Sequence, residues 1–219
     1  MAYIPDFVPY IVNNSGAVPE VQMQHLLRMA IASFMRDTHI AQAEMYIDLD
    51  CDQTDFLLDL PDCRALDKVL EVWESPRNDT VLFNKDTWNK LTPAGMVPHA
   101  RYYGADVYTV NTVGTRPNNS IQLEGKVGKP RRLCVIYAWK IKNQSCEVPD
   151  FILEDWIDAI IYRTMAYLHA SLDFEQRNVR EMEANLAAYA TEVAIAKTAI
   201  RASNTKALIR LKTPRNFFR

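Results

Sequence analysis

Apolar residues recur along this chain with two different periods, and the change from one to the other divides it. Between Pro19 and Arg36, Met23, Leu27, Ala30 and Phe34 stand three and four residues apart, with Leu26 and Ile31 widening the stripe. That spacing predicts an amphipathic helix. Pro19 suits the first helical position, and Glu20 places a carboxylate in the first turn, where the helix dipole favours it. Residues 1–18, with Pro5, Pro9 and Gly16, read as an irregular lead-in.

From residue 43 the period becomes two. Met45, Ile47 and Leu49 alternate with Tyr46, Asp48 and Asp50, the signature of a half-buried strand. Further strands are predicted at Phe56–Leu60, Lys68–Trp73, Thr80–Phe83, Asp106–Thr112, Ser120–Leu123 and Leu133–Ile141, with a short helix at Lys85–Leu91. Turn-rich clusters at 75–79, 114–119 and 125–130 lie between them. Strands at this spacing make a small antiparallel sheet or sandwich.

The helical period returns after Pro149. Asp150 is an expected N-cap for a helix running to about His169, apolar round much of its circumference through Ile152, Trp156, Ile157, Ile160, Ile161, Met165 and Leu168. A break over Ser171–Phe174 follows, and Asp173 with Gln176 resembles a capping box. The next helix carries Val179, Met182, Leu186, Tyr189, Val193, Ala196 and Ile200 as one stripe, and Ala184, Ala187, Ala188, Ala190 and Ala194 permit close helix approach. So short a connection predicts an antiparallel hairpin, and the N-terminal helix has the stripe to complete a bundle with it. The expected class is therefore α+β: an antiparallel helical bundle (the N-terminal helix plus the C-terminal helical hairpin), an inserted antiparallel β domain, and an extended C-terminal arm. The divisions fall at 1–42, 43–148, 149–204 and 205–219.

Charge changes this picture at both ends. Residues 44–67 hold Glu44, Asp48, Asp50, Asp52, Asp55, Asp59, Asp62 and Asp67 against the single base Arg64. After Glu192 there is no carboxylate side chain, while Lys197, Arg201, Lys206, Arg210, Lys212, Arg215 and Arg219 follow. Identical subunits packed side by side could pair such regions, and two solvated faces would explain them equally simply. The arm ends Arg215-Asn216-Phe217-Phe218-Arg219. Ordering it costs about 1–2 kcal/mol per residue, and burying two phenylalanines returns only about 1.5–3 kcal/mol each. It therefore reads as a docking arm whose order comes from a partner, with Arg210, Lys212, Arg215, Phe217, Phe218 and Arg219 as the partner-binding residues.

The remaining chemistry is sparse. The net charge of −2 argues against a dedicated nucleic-acid binder. No apolar run approaches the length of a membrane span, and Met1–Asp6 lacks the pattern of a signal peptide, so folding in a cytoplasm is expected. Cys51, Cys63, Cys134 and Cys146 form no Cys-x-x-Cys pair and are expected as reduced thiols. Asp48, Asp50, Asp52 and Asp59 have a partial calcium-loop spacing, but Gln53 stands where the loop needs glycine and Asp59 where it needs glutamate. His25, His39, His99 and His169 are scattered with no catalytic motif around them, and Gly125–Pro130 lacks phosphate-loop spacing. No catalytic residue, metal or cofactor is nominated, and the expectation is a protein that is not an enzyme.

The order of parts resembles the tailed-bacteriophage head-to-tail adaptor family, the ring proteins also called head–tail connector or tail tubular A proteins. Leu27–Thr38 is similar to that family's first helix, Val148–Ile152 to its entry into the hairpin, Phe174–Arg201 to its second long helix and Arg215–Phe218 to its terminal arm. The resemblance covers nearly the whole chain through degenerate motifs, and the Asp-rich stretch at 48–59 maps onto no feature of the family. It implies a structural protein of the virion, made in the host cytoplasm. Twelve copies would form a ring under the portal protein. The arm would dock on the portal, the β domain would face the tail or nozzle protein, and ejected DNA would pass through the channel unread. The alternatives from other classes are a cytoplasmic enzyme with an undetected site in the β domain, and a helical-bundle regulator binding an acidic partner or nucleic acid.

Overall fold

The first helix forms where the sequence carries two prolines. In the computed structural model of the chain, residues 1–15, 18–49, 55–57, 60–75, 83, 87–91, 109–113, 120–124, 131–171 and 178–204 are described. Strand β1 (Ala2–Tyr3) leads directly into helix α1 (Ile4–Ser15), so the lead-in expected to be irregular is mostly helical. Two physical reasons account for this. Ile4, Phe7 and Ile11, three and four residues apart, are fully buried. The Asp6 carboxylate also accepts the Tyr3 backbone N–H at 2.6 Å, the reach-back half of a capping box. Pro5 sits in the first turn, where its missing N–H has no partner to lose, and only Pro9 removes an intrahelical bond.

Helix α2 (Glu20–Thr38) follows, with Pro19 as its N-cap residue rather than its first helical one. It buries Met23, Leu26, Leu27, Ala30, Ile31, Phe34 and Met35, the stripe expected from the spacing. It ends two residues later than expected, because the Thr38 hydroxyl donates to the Phe34 carbonyl at 2.6 Å and His39 closes the last turn. His39 takes the left-handed conformation (φ 54°, ψ 34°), and its N–H donates to the Met35 carbonyl at 2.8 Å.

The β region contributes β2 (Gln42–Leu49), β3 (Asp55–Leu57), β4 (Arg64–Glu74), β5 (Asn89–Leu91), β6 (Thr109–Val113), β7 (Ser120–Glu124), β8 (Arg131–Ile141) and β9 (Glu147–Val148). Among the described residues these make a sheet of order β2-β8-β4-β5, a second of order β3-β7-β6 and the small pair β1-β9, all antiparallel. The helix expected at Lys85–Leu91 is corrected. Asn89–Leu91 pairs with Val72–Glu74 as a strand, since tertiary pairing overrides a short local preference. Lys85 and residues 80–82 of the expected Thr80–Phe83 strand lie outside the described residues.

The strand β8 is central and buried on both faces. Tyr137, Trp139 and Ile141 share the main core with the helices. Cys134 and Ile136, on the opposite face, join Trp88 and the half-buried Leu70, Trp73 and Phe83 in a second cluster. Alternate residues of a strand face opposite sides, so one strand serves two cores.

The single helix expected from Asp150 to His169 is two, α3 (Asp150–Asp155) and α4 (Ile157–Ser171). Trp156 leaves helical geometry between them (φ −128°, ψ 19°), and its ring lies 5.6 Å from that of Phe34. Pro149, not Asp150, is the N-cap residue, and the Asp150 carboxylate instead meets the amino group of Met1 at 2.6 Å. Helix α5 (Val179–Asn204) opens with the Asn178 side chain accepting the Glu181 N–H at 3.1 Å. The expected box at Asp173 and Gln176 lies outside the described residues. Near the end of α4, His169 Nε2 lies 3.2 Å from Glu181 Oε2 near the start of α5. Earlier in α4, the Arg163 guanidinium sits over the Tyr189 ring, later in α5, at 4.9 Å. The two helices therefore run antiparallel. Tyr189 and Ala196 of the α5 stripe are buried, and Met182, Leu186, Val193 and Ile200 are half-buried. The class is thus α+β, and no described helix is long and apolar enough to cross a membrane.

Candidate functional site

The expected partner-binding residues Arg210, Lys212, Arg215, Phe217, Phe218 and Arg219 lie outside the described residues. What is described is the place from which the chain delivers them. The last turns of α5 border a cleft of about 560 Å³, walled by Lys197, Ile200 and Arg201 on one side and by the end of α2 and strands β2, β4 and β8 on the other. The arm leaves α5 three residues beyond Arg201.

The sheet register explains the far wall. Ile136 on β8 stands opposite Glu44 of β2 and Glu71 of β4. Residues opposed across antiparallel strands share a face, so two carboxylates flank one isoleucine. The Glu71 carboxylate is already engaged, accepting from Trp73 Nε1 at 2.9 Å and from Lys90 Nζ. Glu44 is exposed. Lys197 and Arg201, one turn apart on α5, line the helical wall, and no ion pair joins either to another described residue.

His39 lies at the rim. Its Nδ1 is 3.1 Å from Asp67 Oδ2, and the other Asp67 oxygen is 3.3 Å from Lys140 Nζ. The Asp67 side chain is only 6% exposed. It is placed there by a shift in β4 register between Leu66 and Lys68; such a bulge re-aims a side chain. The buried Asp67 carboxylate, with the His39 imidazole on one side and the Lys140 ammonium on the other, brings the end of α2 against the sheet. Nothing in the sequence signals this association, because His39 and Asp67 lie on different elements and the bulge that joins them has no local motif.

Among the described residues, the other histidines do not gather there. His169 faces Glu181 across the α4–α5 hairpin, His25 is on α2, and His99 lies outside the described residues. Cys63, Cys134 and Cys146 are free thiols. Cys146 accepts a hydrogen bond from an Arg28 Nη2 at 3.7 Å. Among the described residues, no group of three or more His, Cys, Asp or Glu is arranged to hold a metal ion. Asp48, the first acid of the partial calcium-loop spacing, pairs instead with Arg132 at 3.1 Å.

The cleft is a polar junction with unpaired cations on its helical wall, an engaged and an exposed carboxylate on its sheet wall, and the root of a basic arm at its edge. The chain matches no family model and no curated protein.

Proposed function

We propose that this chain is a structural component of a tailed-bacteriophage virion, a head-to-tail adaptor whose copies form a ring, of twelve, between the portal protein and the tail or nozzle protein. In this reading α2, α4 and α5 make the bundle of the ring wall, the β region faces the tail, and DNA passes through the channel. The observation that carries it is α5 itself. The helix is anchored through Tyr189 and Ala196 in the core and then projects a tail of 15 residues, from Thr205 onward, with no acid and with two terminal phenylalanines. The cost of ordering such a segment calls for a partner. Arg215, Phe217 and Phe218 are the portal-docking residues, with Arg219 at the tip and Arg210 and Lys212 as electrostatic support.

The test is deletion of residues 206–219. A folded protein that no longer enters particles is expected. Wild-type incorporation would overturn docking through the arm, and so would loss of folding, since it would make the arm part of the core. Added salt should weaken incorporation without abolishing it.

One observation favours a second reading, an enzyme with its site in the β region: the His39 imidazole lies 3.1 Å from the Asp67 carboxylate at the rim of the cleft. Purified particles separate the two, because an adaptor travels in them at low copy number beside the portal and an enzyme does not.

A further inference from the structure

Among the described residues, β2 is one of the two edge strands of its sheet, with β5 at the other edge. Trp139 N donates to the Ala41 carbonyl at 3.0 Å, which identifies residues 41 and 139 as a hydrogen-bonded pair. Such pairs alternate along an antiparallel ladder. With the register Gln42↔Ala138 through Leu49↔Arg131, Ala43, Met45 and Ile47 therefore bond to β8. Gln42, Glu44, Tyr46 and Asp48 turn their N–H and C=O groups to the outer edge, where no described strand meets them. Of these positions Gln42 is half-buried and Glu44, Tyr46 and Asp48 are exposed, Tyr46 by 37% and the Asp48 side chain by 77%.

An open edge is a template for another strand. Glu44 and Asp48 decide which strand it accepts. Two copies of β2 set edge to edge would oppose carboxylates, and Arg132 offsets only the one on Asp48. A basic strand is complementary. The chain carries one: Ile209-Arg210-Leu211-Lys212-Thr213 alternates apolar and basic residues with no acid, and Pro214 ends it. Arg210 and Lys212 would fall on the face of Glu44 and Asp48, and Ile209 and Leu211 on the face of Met45 and Ile47.

We infer that residues 208–213 of a second copy of this chain add to the outer edge of β2 as an extra strand. The same chain is the poorer donor. The last turns of α5, at Lys197 and Arg201, border the same cleft as Gln42 and Glu44 at the start of β2, so a strand continuing from α5 would meet β2 in the parallel sense, while a neighbour is free to take the stronger antiparallel pairing. The inference rests on the ring reading above and names the contact between adjacent copies. Arg215, Phe217 and Phe218, beyond Pro214, stay available to the portal.

The experiment uses the full-length chain, with self-association followed by sedimentation. E44K/D48K and R210E/K212E are each expected to weaken association about tenfold or more, and the combined four-fold variant to restore it. Glu44→Pro removes an outward N–H without touching the β8 ladder and should also weaken association, with the circular dichroism unchanged. The arm variant alters no described residue, so misfolding of an edge variant leaves it as an independent test. Unchanged association in the arm variant, or no recovery in the four-fold variant, overturns the inference. Protection of the Glu44 and Asp48 amides from hydrogen exchange that persists on dilution to monomer overturns it as well, since the donor would then be the same chain. Phe217→Ala/Phe218→Ala should leave association unchanged while abolishing particle incorporation, so failure of the portal reading shows separately.

Discussion

The Tyr189 hydroxyl donates to Asp37 Oδ2 at 2.8 Å and joins the middle of α5 to the last turn of α2 across 152 residues of sequence. Around it, the Arg163 guanidinium lies over the rings of Tyr167, at 4.5 Å, and Tyr189, at 4.9 Å. The Tyr167 hydroxyl meets Ser33 Oγ at 2.8 Å. One tyrosine, one arginine and one carboxylate thus fix how three helices sit on one another. Because Asp37 is partly exposed, its loss of a partner is softened by water. Tyr189→Phe is expected to cost about 1–2 kcal/mol, read as a lower urea midpoint with an unchanged slope.

The same tyrosine should be silent in an alkaline titration. Burial, then the hydrogen bond and charge of Asp37, push its pKa far above the ordinary phenol value, against a smaller lowering by Arg163. Burial also raises Tyr137. A raised phenol pKa contributes stability that is whole below the unfolded value of about 10 and is lost as pH climbs through the folded one. Ultraviolet titration should therefore show Tyr189 ionising only when the protein unfolds and Tyr137 ionising later than an exposed tyrosine, and the alkaline fall in stability should be shallower in Tyr189→Phe.

Glu192 gives a dependence of the same sign at the acid end. Burial and then the neighbouring charge of Asp158 raise its carboxyl pKa, so folding favours the protonated form. That contribution is whole below the ordinary carboxylate range and is lost as pH rises through the folded pKa. Glu192→Gln should raise the melting temperature at about pH 7 and leave it unchanged at about pH 3.

Phe34 is fully buried and packs on Trp156 at 5.6 Å and on Tyr189 at 6.4 Å between ring centres. Phe34→Ala opens a cavity at the meeting point of α2, α4 and α5. A loss of about 3–5 kcal/mol is expected, measured by chemical denaturation.

Pro9 lies inside α1 and forfeits the bond its N–H would make to the Pro5 carbonyl. Pro9→Ala should restore that bond and gain about 1–3 kcal/mol, with increased helical circular dichroism. A loss of stability instead would mean that the proline ring at position 9 helps to seat Phe7 and Ile11 in the core.

The apolar stripes of α2 and α5 and the alternation of β2 were legible because burial on one face imposes its period on the residues themselves, as Leu27, Phe34, Tyr189 and Met45 show. The acid-free tail was equally plain, since charge needs no fold to be counted. Helix α1 was hidden because its prolines speak against a helix locally, while Ile4, Phe7 and Ile11 are paid back only by a core built from distant residues. The break at Trp156 and the strand at Asn89–Leu91 depend likewise on Phe34 and on β4. The association of His39 with Asp67 and the place of β2 at an edge among the described strands exist only through strand order and a shift of register. These are relations between segments far apart in the chain, and only tertiary packing decides them.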